Sequence, residues 1–300
     1  MEVTGPILVE ISVRELEAHI RNLEGVRHPE SAPQAHEAAA QYVWERLQAS
    51  GCKMEAVFFK EGDRTYRNIC GVQAGRLEPD QYLVVMAHFD TVSNSPGADD
   101  NASGVAALLE LARVFQYHPL SQSILFCGVD LEEQAVEGEQ GTPILRGSRA
   151  LAAYFKENGW QIGGVVNFES VAYAGDEIPQ STPENLPIQL PEAGNFIGVI
   201  GNEKSIDLVR GYCGVIDEHQ IPLPYLPMVV PGNGELLPDT RRSDHASFWD
   251  AGYPAVMLTD TANFRNPHYH QPSDRLETLN LNFLREVCRA AGALVLKMAG

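Results

Sequence analysis

The chain has few cysteines and no pattern that would put them to structural use. Its 300 residues include five, at Cys52, Cys70, Cys127, Cys213 and Cys288, with no C-x-x-C pair among them. An odd number of scattered cysteines is not typical of a disulfide framework or of a cysteine-based zinc site. We expect buried, reduced thiols, with a Cys52–Cys70 disulfide as the alternative.

Basic residues are scarce relative to acidic ones. The 22 Lys and Arg residues face 40 Asp and Glu residues, so the formal net charge is -18. Such a charge disfavours nucleic acid and anionic membranes, and we predict neither as a partner. It is compatible with cationic substrates, although solubility alone is a sufficient reason for it.

Long apolar runs are also lacking. No stretch reaches the roughly 18 apolar residues that a membrane-spanning helix requires. The first 20 residues have no basic segment followed by an apolar run, so no signal peptide is recognisable. We therefore expect a cytoplasmic protein, or a secreted one if a leader has been removed.

Hydrophobic patterning predicts alternating helices and strands. The chain is 44% hydrophobic, and its length allows one large α/β domain or two small ones. Periodicity predicts helices at 13–23, 33–49, 104–115, 148–157 and 281–298, and strands at 54–59, 68–73, 82–87, 123–129, 164–168 and 254–258. Asn101 or Ser103 is expected to cap the third helix. This order favours a mostly parallel sheet with helices on both faces.

Groups that can bind a metal or move a proton follow the predicted strands. His88 ends one strand, and Asp90 follows it at a spacing that suits a ligand and the carboxylate that orients its ring. Two carboxylates, Asp99 and Asp100, precede the third helix, where acidic residues are common for dipole reasons alone. Each pattern by itself is as compatible with a structural role.

Three further groups lie in later segments. The segment Asp130-Leu-Glu132-Glu133 directly follows a strand, and its paired glutamates would repel each other unless a cation lies between them. One could bind a metal while the other takes a proton from water. Glu169 ends the next strand, and His268 and His270 lie in a loop late in the chain. Nitrogen and oxygen donors without thiolates suit zinc, manganese or cobalt in a two-metal site.

Together these segments resemble a known family. In order, AHFDT, PGADDNASG, DLEE, NFES and NPHYH are similar to the motifs of the M28 zinc aminopeptidases. The resemblance covers about residues 80–280, and residues 243–274 (SDHASFWDAGYPAVMLTDTANFRNPHYHQPSD) are similar to the family's C-terminal signature. It implies one peptidase domain over 1–300 with the three-layer α/β/α fold of zinc-dependent exopeptidases, which has a mostly parallel, mixed sheet.

The resemblance also implies roles for individual residues. Two zinc ions per chain are implied, with Mn²⁺ or Co²⁺ as substitutes. His88 and Glu169 would bind the first ion, Glu133 and His270 the second, and Asp100 would bridge them. Glu132 would be the general base, Asp90 would orient His88, and Tyr269 would donate a hydrogen bond to the developing oxyanion. The substrates would be peptides with a free N-terminus, which lose their first residue to a water activated between the metals.

The chain departs from the family pattern in two places. Glu169 stands where the family usually has Asp, which puts the first metal site in doubt. The segment 134–143 (QAVEGEQGTP) is longer than in relatives and is expected to shape the substrate pocket. The Pro-rich segment 172–195 is expected near the rim of the site, or as a plain surface excursion.

Other readings of the same residues stay open. A glutaminyl cyclase shares this fold but uses a single zinc ion. An M20-type carboxypeptidase often has Glu at the position of Glu169, but the roughly 100 residues between Glu169 and His270 leave little room for that family's lid domain. A catalytically silent binding protein would usually have lost a ligand or the base.

His245 is expected to be a packed structural histidine rather than a substrate contact, and His28, His118 and His219 to be structural or on the surface. The sequence does not predict the preferred N-terminal residue or the oligomeric state.

Overall fold

The computed structural model describes residues 8–133, 145–184 and 186–300. Its strands are β1 (Lys53–Glu61), β2 (Arg64–Gln73), β3 (Glu78–His88), β4 (Gln122–Val129), β5 (Gln161–Glu169), β6 (Ile197–Asn202), β7 (Tyr225–Val230) and β8 (Ala255–Thr259). Its α-helices include α1 (Val13–Leu23), α2 (Pro33–Ala49), α3 (Gly104–Phe115), α4 (Arg146–Glu157), α5 (Ile206–Glu218), α6 (His245–Ala251) and α7 (Leu281–Ala299).

Within these residues, eight strands form one mixed sheet in the order β1-β2-β4-β3-β5-β8-β6-β7. The central strands β4, β3, β5 and β8 run parallel to one another. Antiparallel pairs occur towards the edges, where β2 meets β1 and β4, and β6 meets β8. The carboxyl ends of the four central strands therefore open onto the same edge of the sheet, which is where open α/β sheets bind ligands.

Strand β3 shows why both faces of the sheet are covered. Leu83, Val85 and Ala87 pack into the layer that contains α1, α2, α3, α5 and α7, while Val84 and Met86 pack into the layer that contains α4 and α6. Successive side chains of a strand point to opposite faces, so a strand buried on both sides is apolar throughout. The three-layer α/β/α fold predicted from the sequence is confirmed.

The elements that the sequence did not predict are β6, α5, β7 and α6. Strand β6 (IGVIGN) contains two glycines, and β7 (YLPMVV) contains a proline. Helix α5 has Gly211 and Gly214 in its interior, and glycine is unfavourable there by about 1 kcal/mol relative to alanine. Tertiary packing outweighs these local signals, because α5 buries Leu208, Val209 and Tyr212 against the sheet and α7.

The structure shows which side chain caps α3 and whether the cysteines form a disulfide. The side chain of Asn101, rather than that of Ser103, accepts the backbone N–H of Gly104 at the start of α3, over 3.2 Å. The five cysteines are free, so the alternative Cys52–Cys70 disulfide is wrong. Cys70 instead faces Cys127 across the β2–β4 pair, with the two sulfurs 3.3 Å apart.

Among the described residues, no helix combines the length and hydrophobicity needed to cross a bilayer.

Candidate metal centre

The carboxyl ends of the central strands supply most of the candidate site. His88 is the last residue of β3, and Glu169 is the last residue of β5. Glu132 and Glu133 follow the end of β4 by three and four positions. Asp100 lies in the turn before α3, and His270 lies in the loop between β8 and α7. All of these side chains are buried except His270, which is half-buried. The structure thus brings together residues that are up to 182 positions apart in the sequence.

Asp100 lies between the two histidines of the site. Its Oδ1 atom is 3.2 Å from Nε2 of His88, and its Oδ2 atom is 3.1 Å from Nε2 of His270. The adjacent Asp99 points elsewhere, where it accepts hydrogen bonds from the backbone of Ala172 and the side chain of Asn266. Of the two neighbouring aspartates, Asp100 is therefore the one that can join two metal sites.

Two clusters of donor atoms flank Asp100. In one, Oε2 of Glu169 lies 3.4 Å from Nε2 of His88, and Glu132 lies close to both side chains. In the other, Oε1 of Glu133 lies 3.1 Å from Nε2 of His270. Within each cluster the donor atoms lie within 4.8 Å of one another, which is close enough for a single ion to bind them together.

Asp90 holds two parts of the site. Its Oδ1 atom lies 3.4 Å from Nδ1 of His88, on the side of the ring away from Asp100. Its two oxygens also accept the backbone N–H groups of Glu132 at 3.2 Å and Glu133 at 3.0 Å. A single buried carboxylate therefore fixes the backbone of the glutamate pair as well as facing the histidine ring.

The longer side chain of Glu169 is accommodated by a hydrogen-bond chain. Ser243 donates to Oε2 of Glu169 at 2.6 Å, and Asn167 donates to the hydroxyl of Ser243 at 2.8 Å. The extra methylene relative to aspartate therefore does not carry the carboxylate away from His88. Both Asn167 and Ser243 lie inside the motifs quoted above, but their roles were not predicted, because a serine or an asparagine by itself gives no sequence signal.

The site concentrates negative charge away from water. Burial raises the pKa of Glu132 well above its ordinary value, and Glu169 and Glu133 raise it further. Burial and the nearby Asp100 likewise raise the pKa of Glu133, to about 7, although His270 opposes them. Burial alone would lower the pKa of His270, but Glu133 and Asp100 outweigh it and raise that pKa to about 11. Without another cation, the site therefore draws protons onto its histidines and glutamates.

The donor set fits divalent metal ions. In the part of the chain that the structure describes, both ring nitrogens of His88 and Oδ1 of Asp100 are buried and have no hydrogen-bond partner. Buried polar atoms without partners are costly, and a cation bound between Nε2 of His88 and Oδ1 of Asp100 would give both of these atoms a partner. Nδ1 of His88 faces Asp90 instead. Nitrogen and oxygen donors without thiolate suit zinc, manganese or cobalt.

Tyr269 and Arg242 lie at the mouth of the site. The ring of Tyr269 stacks on that of His270 with centroids 3.8 Å apart, and its hydroxyl is 3.4 Å from Nη2 of Arg242. Burial, Asp100 and Glu133 raise the pKa of Tyr269 well above its ordinary value, so it keeps its proton and can donate a hydrogen bond. Arg242 was not predicted, although it directly precedes the quoted segment that begins at Ser243.

The sequence predicted roles for His245 and for the segments 172–195 and 134–143. His245 is fully buried against Trp249, and its Nε2 atom lies 2.8 Å from the carbonyl oxygen of Thr240, which agrees with a structural role. The segment 172–195 does reach the site, because Pro183, Leu186 and Leu190 line a cavity beside it. The segment 134–143, expected to shape the pocket, lies outside the described residues.

The cavity next to the donor clusters is open to solvent and largely apolar. Glu169 and Tyr269 lie on its wall together with Arg242. Its apolar lining includes Leu186, Leu190, Phe196, Ile200, Leu226, Met228 and Met257. This space could therefore hold an apolar group next to the donor clusters.

Comparison with known proteins gives a consistent result. The family model for peptidase family M28 matches residues 68–209 and 225–295. The uncharacterized protein YfbL of Escherichia coli is 32% identical over 293 residues, covering 92% of this chain and 85% of that protein. Leucine aminopeptidase 1 of Arthroderma gypseum is 26% identical over 73% of this chain, and a probable zinc metalloprotease of Pyricularia oryzae is 25% identical over 68% of it. The chain spans only 55% and 42% of the length of these last two relatives.

Solved structures show the same fold. The LapA aminopeptidase of Legionella pneumophila superposes with a TM-score of 0.75 at 20% identity, covering 99% of this chain and 72% of that one. A glutaminyl cyclase from Bacteroides thetaiotaomicron superposes with a TM-score of 0.72 at 17% identity, covering 96% of this chain and 98% of that one. Likeness at this level of identity concerns the fold alone. The family match extends over most of the chain and includes every strand from β3 to β8 and part of β2. The chain therefore belongs to peptidase family M28.

Proposed function

We propose that this protein is a zinc aminopeptidase that uses two metal ions to remove the N-terminal residue of peptides. The observation that carries the proposal is the position of Asp100, whose two oxygens face different histidines, His88 at 3.2 Å and His270 at 3.1 Å. A carboxylate placed in this way can serve two ions at once. His88 and Glu169 would complete the first site, and Glu133 and His270 the second.

Two divalent ions in these sites would polarise the scissile carbonyl and lower the pKa of a water molecule. Glu132 is buried in the first cluster with His88 and Glu169. We assign the proton to Glu132 because Glu133 and Glu169 take the ligand positions in the proposed site. The raised pKa of Glu132 suits a base that must afterwards give the proton to the leaving amine. The hydroxyl of Tyr269 would donate a hydrogen bond to the carbonyl oxygen as it becomes negative.

The surroundings also suggest the substrate class. The apolar cavity lined by Ile200, Met228 and Met257 would take an apolar side chain of the N-terminal residue. The carboxylate of Glu169, on the wall of that cavity, favours a positively charged α-amino group at its entrance. We therefore propose peptides with a free, apolar N-terminal residue as substrates. The names of two relatives, leucine aminopeptidase 1 and a probable zinc metalloprotease, support both the metal and the reaction.

Elemental analysis combined with a panel of aminoacyl-nitroanilides tests the proposal. We expect two zinc ions per chain and release of nitroaniline from leucyl and methionyl substrates, abolished by chelation and restored by Zn²⁺. One zinc ion per chain, no release, and cyclisation of an N-terminal glutamine would instead identify a glutaminyl cyclase. Two bound ions without hydrolysis of any substrate would contradict the assignment as an aminopeptidase.

A further inference from the structure

The side chain of the buried Arg27 hydrogen-bonds only backbone carbonyl oxygens among the residues that the structure describes. Its side chain is 2% exposed and donates hydrogen bonds to Phe89, Leu23, Gly25, Pro96 and Gly97. No carboxylate of the described residues forms an ion pair with it. An arginine has five N–H donors in a fixed fork, so one side chain can bind several carbonyl oxygens that point towards the same place.

Three of these carbonyl oxygens belong to the segment that separates His88 from Asp100. Nε of Arg27 donates to Phe89 O at 2.7 Å, at the start of this segment. The two terminal nitrogens donate to Pro96 O at 2.8 Å and Gly97 O at 2.9 Å, at its end. The guanidinium therefore ties together the two ends of the connection between a histidine and an aspartate of the metal centre.

Asp274 binds the same turn through its backbone N–H groups. Its Oδ1 atom accepts the backbone N–H of Asp99 at 2.9 Å, and its Oδ2 atom accepts that of Asp100 at 3.2 Å. In the turn from Gly97 to Asp100, the guanidinium of Arg27 thus binds the carbonyl oxygen of Gly97. The carboxyl group of Asp274 binds the backbone N–H groups of Asp99 and Asp100. Gly97 has φ +60°, and a side chain at this position would collide with Arg27 and with the carbonyl of Asp100.

Charge adds to this geometry. Burial lowers the pKa of Arg27 to about 10, with Asp274, Asp90 and Asp100 opposing that shift, so the guanidinium stays charged at neutral pH. It lies beneath a centre rich in buried carboxylates. A fixed cation at this position offsets part of the repulsion among them without occupying a position that a metal would take.

We propose that Arg27 and Asp274 are positioning residues that hold the Gly97–Asp100 turn so that the two oxygens of Asp100 face both donor clusters, and that they thereby set the affinity for metal. The inference rests on the proposed two-metal function. Neither residue was singled out by sequence reasoning, because Arg27 lies in the loop after α1 and outside the quoted motifs, and Asp274 only ends one of them.

The test is a set of variants whose Zn²⁺ affinity is measured by competition with a metallochromic chelator. The set consists of Arg27→Lys, Arg27→Met, Asp274→Asn and the double variant Arg27→Met/Asp274→Asn. Arg275→Met is the matched control, because Arg275 is the neighbour of Asp274 but is half exposed and binds Glu24 instead. Thermal unfolding of each metal-free protein reports separately on folding. The absorption spectrum of the Co²⁺-loaded proteins gives a second readout, which responds to ligand geometry rather than to stability.

We expect Arg27→Met and Asp274→Asn each to weaken Zn²⁺ binding by roughly tenfold to a hundredfold, the range found for residues that orient metal ligands. The Zn²⁺ affinity of Arg27→Lys should lie between that of the wild type and that of Arg27→Met, because the lysine ammonium keeps the charge but has fewer N–H donors. The double variant should lose less than the product of the single losses, because both residues hold one turn. Arg275→Met should bind as the wild type does.

Two results would overturn the inference. One is wild-type Zn²⁺ affinity and an unchanged Co²⁺ spectrum in folded Arg27→Met, or in Arg27→Lys if the methionine variant does not fold. The other is a loss of affinity in Arg275→Met equal to that in the Arg27 variants. A wild-type protein that binds no zinc would overturn the proposed function itself, so the two failures are distinguishable.

Discussion

Ser243 donates a 2.6 Å hydrogen bond to Oε2 of Glu169, the carboxylate oxygen that faces His88. This contact allows a glutamate to stand where the family usually has an aspartate. The serine hydroxyl is itself fixed by Asn167. Since all three side chains are buried, the carboxylate has little freedom to turn away from the candidate metal site.

Replacing Ser243 by alanine should weaken the first metal site. Oε2 of Glu169 would lose its short hydrogen bond, and the side chain could adopt other rotamers. We expect a loss of roughly tenfold or more in affinity for the more weakly held zinc ion, measured by elemental analysis after stepwise dialysis against chelator. Ser247→Ala is the control, because the hydroxyl of Ser247 lies 2.9 Å from that of Ser148 rather than near Glu169. Equal losses in the two variants would contradict the role of Ser243.

Replacing Glu132 by glutamine should abolish most of the activity while metal remains bound. The amide keeps the shape of the side chain but cannot accept a proton from water. We expect kcat to fall by about a thousandfold or more at an unchanged zinc content. Glu133→Gln, in contrast, should lower zinc content as well, because Glu133 is a proposed ligand. Near-normal activity of zinc-loaded Glu132→Gln would show that another group is the base.

Filling the apolar cavity should change the preference for the N-terminal residue. Ile200 lines this cavity, and a tryptophan at that position would occupy space that a leucyl side chain needs. We expect kcat/KM for leucyl-nitroanilide to fall by at least about tenfold in Ile200→Trp, and that for alanyl-nitroanilide to change much less. Leu236→Trp serves as the control, since Leu236 is 82% exposed. A parallel loss for both substrates in Ile200→Trp would place the specificity pocket elsewhere.

Acid should destabilise the fold through His245. Burial lowers the pKa of His245 to about 4, whereas in the unfolded chain it titrates near 6.5. Between these pH values the unfolded state binds the proton and the folded state does not. The contribution to stability is therefore complete above about pH 6.5 and is lost as the pH falls towards 4. From pH 7 to pH 5 the loss amounts to about 2 kcal/mol for this residue.

Urea unfolding of the wild type and of His245→Leu at the two pH values measures this contribution. The variant should be less stable at pH 7, because the carbonyl of Thr240 loses its partner. It should nevertheless lose about 2 kcal/mol less than the wild type when the pH is lowered to 5. The same pH dependence in both proteins would assign the acid sensitivity to other groups.

Strong local patterns account for what could be predicted of the fold. Strands β3, β4 and β5 are compact apolar runs because both of their faces are buried, and α3 is apolar on most sides for the same reason. Strand β7 contains Pro227, and helix α5 contains two glycines, so their local signals oppose the structure that they form. Packing against the sheet and α7 decides these elements, and periodicity cannot show that packing.

The family, the layered fold and the chemical types that meet at the strand ends could all be predicted from the amino-acid sequence, because motif order and hydrophobic period are local properties. The folded chain was needed to show the distances of Asp100 from His88 and His270, and to show that Ser243 supports Glu169. It alone brought Arg27 and Asp274 to one turn from opposite ends of the chain. These relations depend on distances between residues remote in sequence, which chain folding sets and no local pattern records.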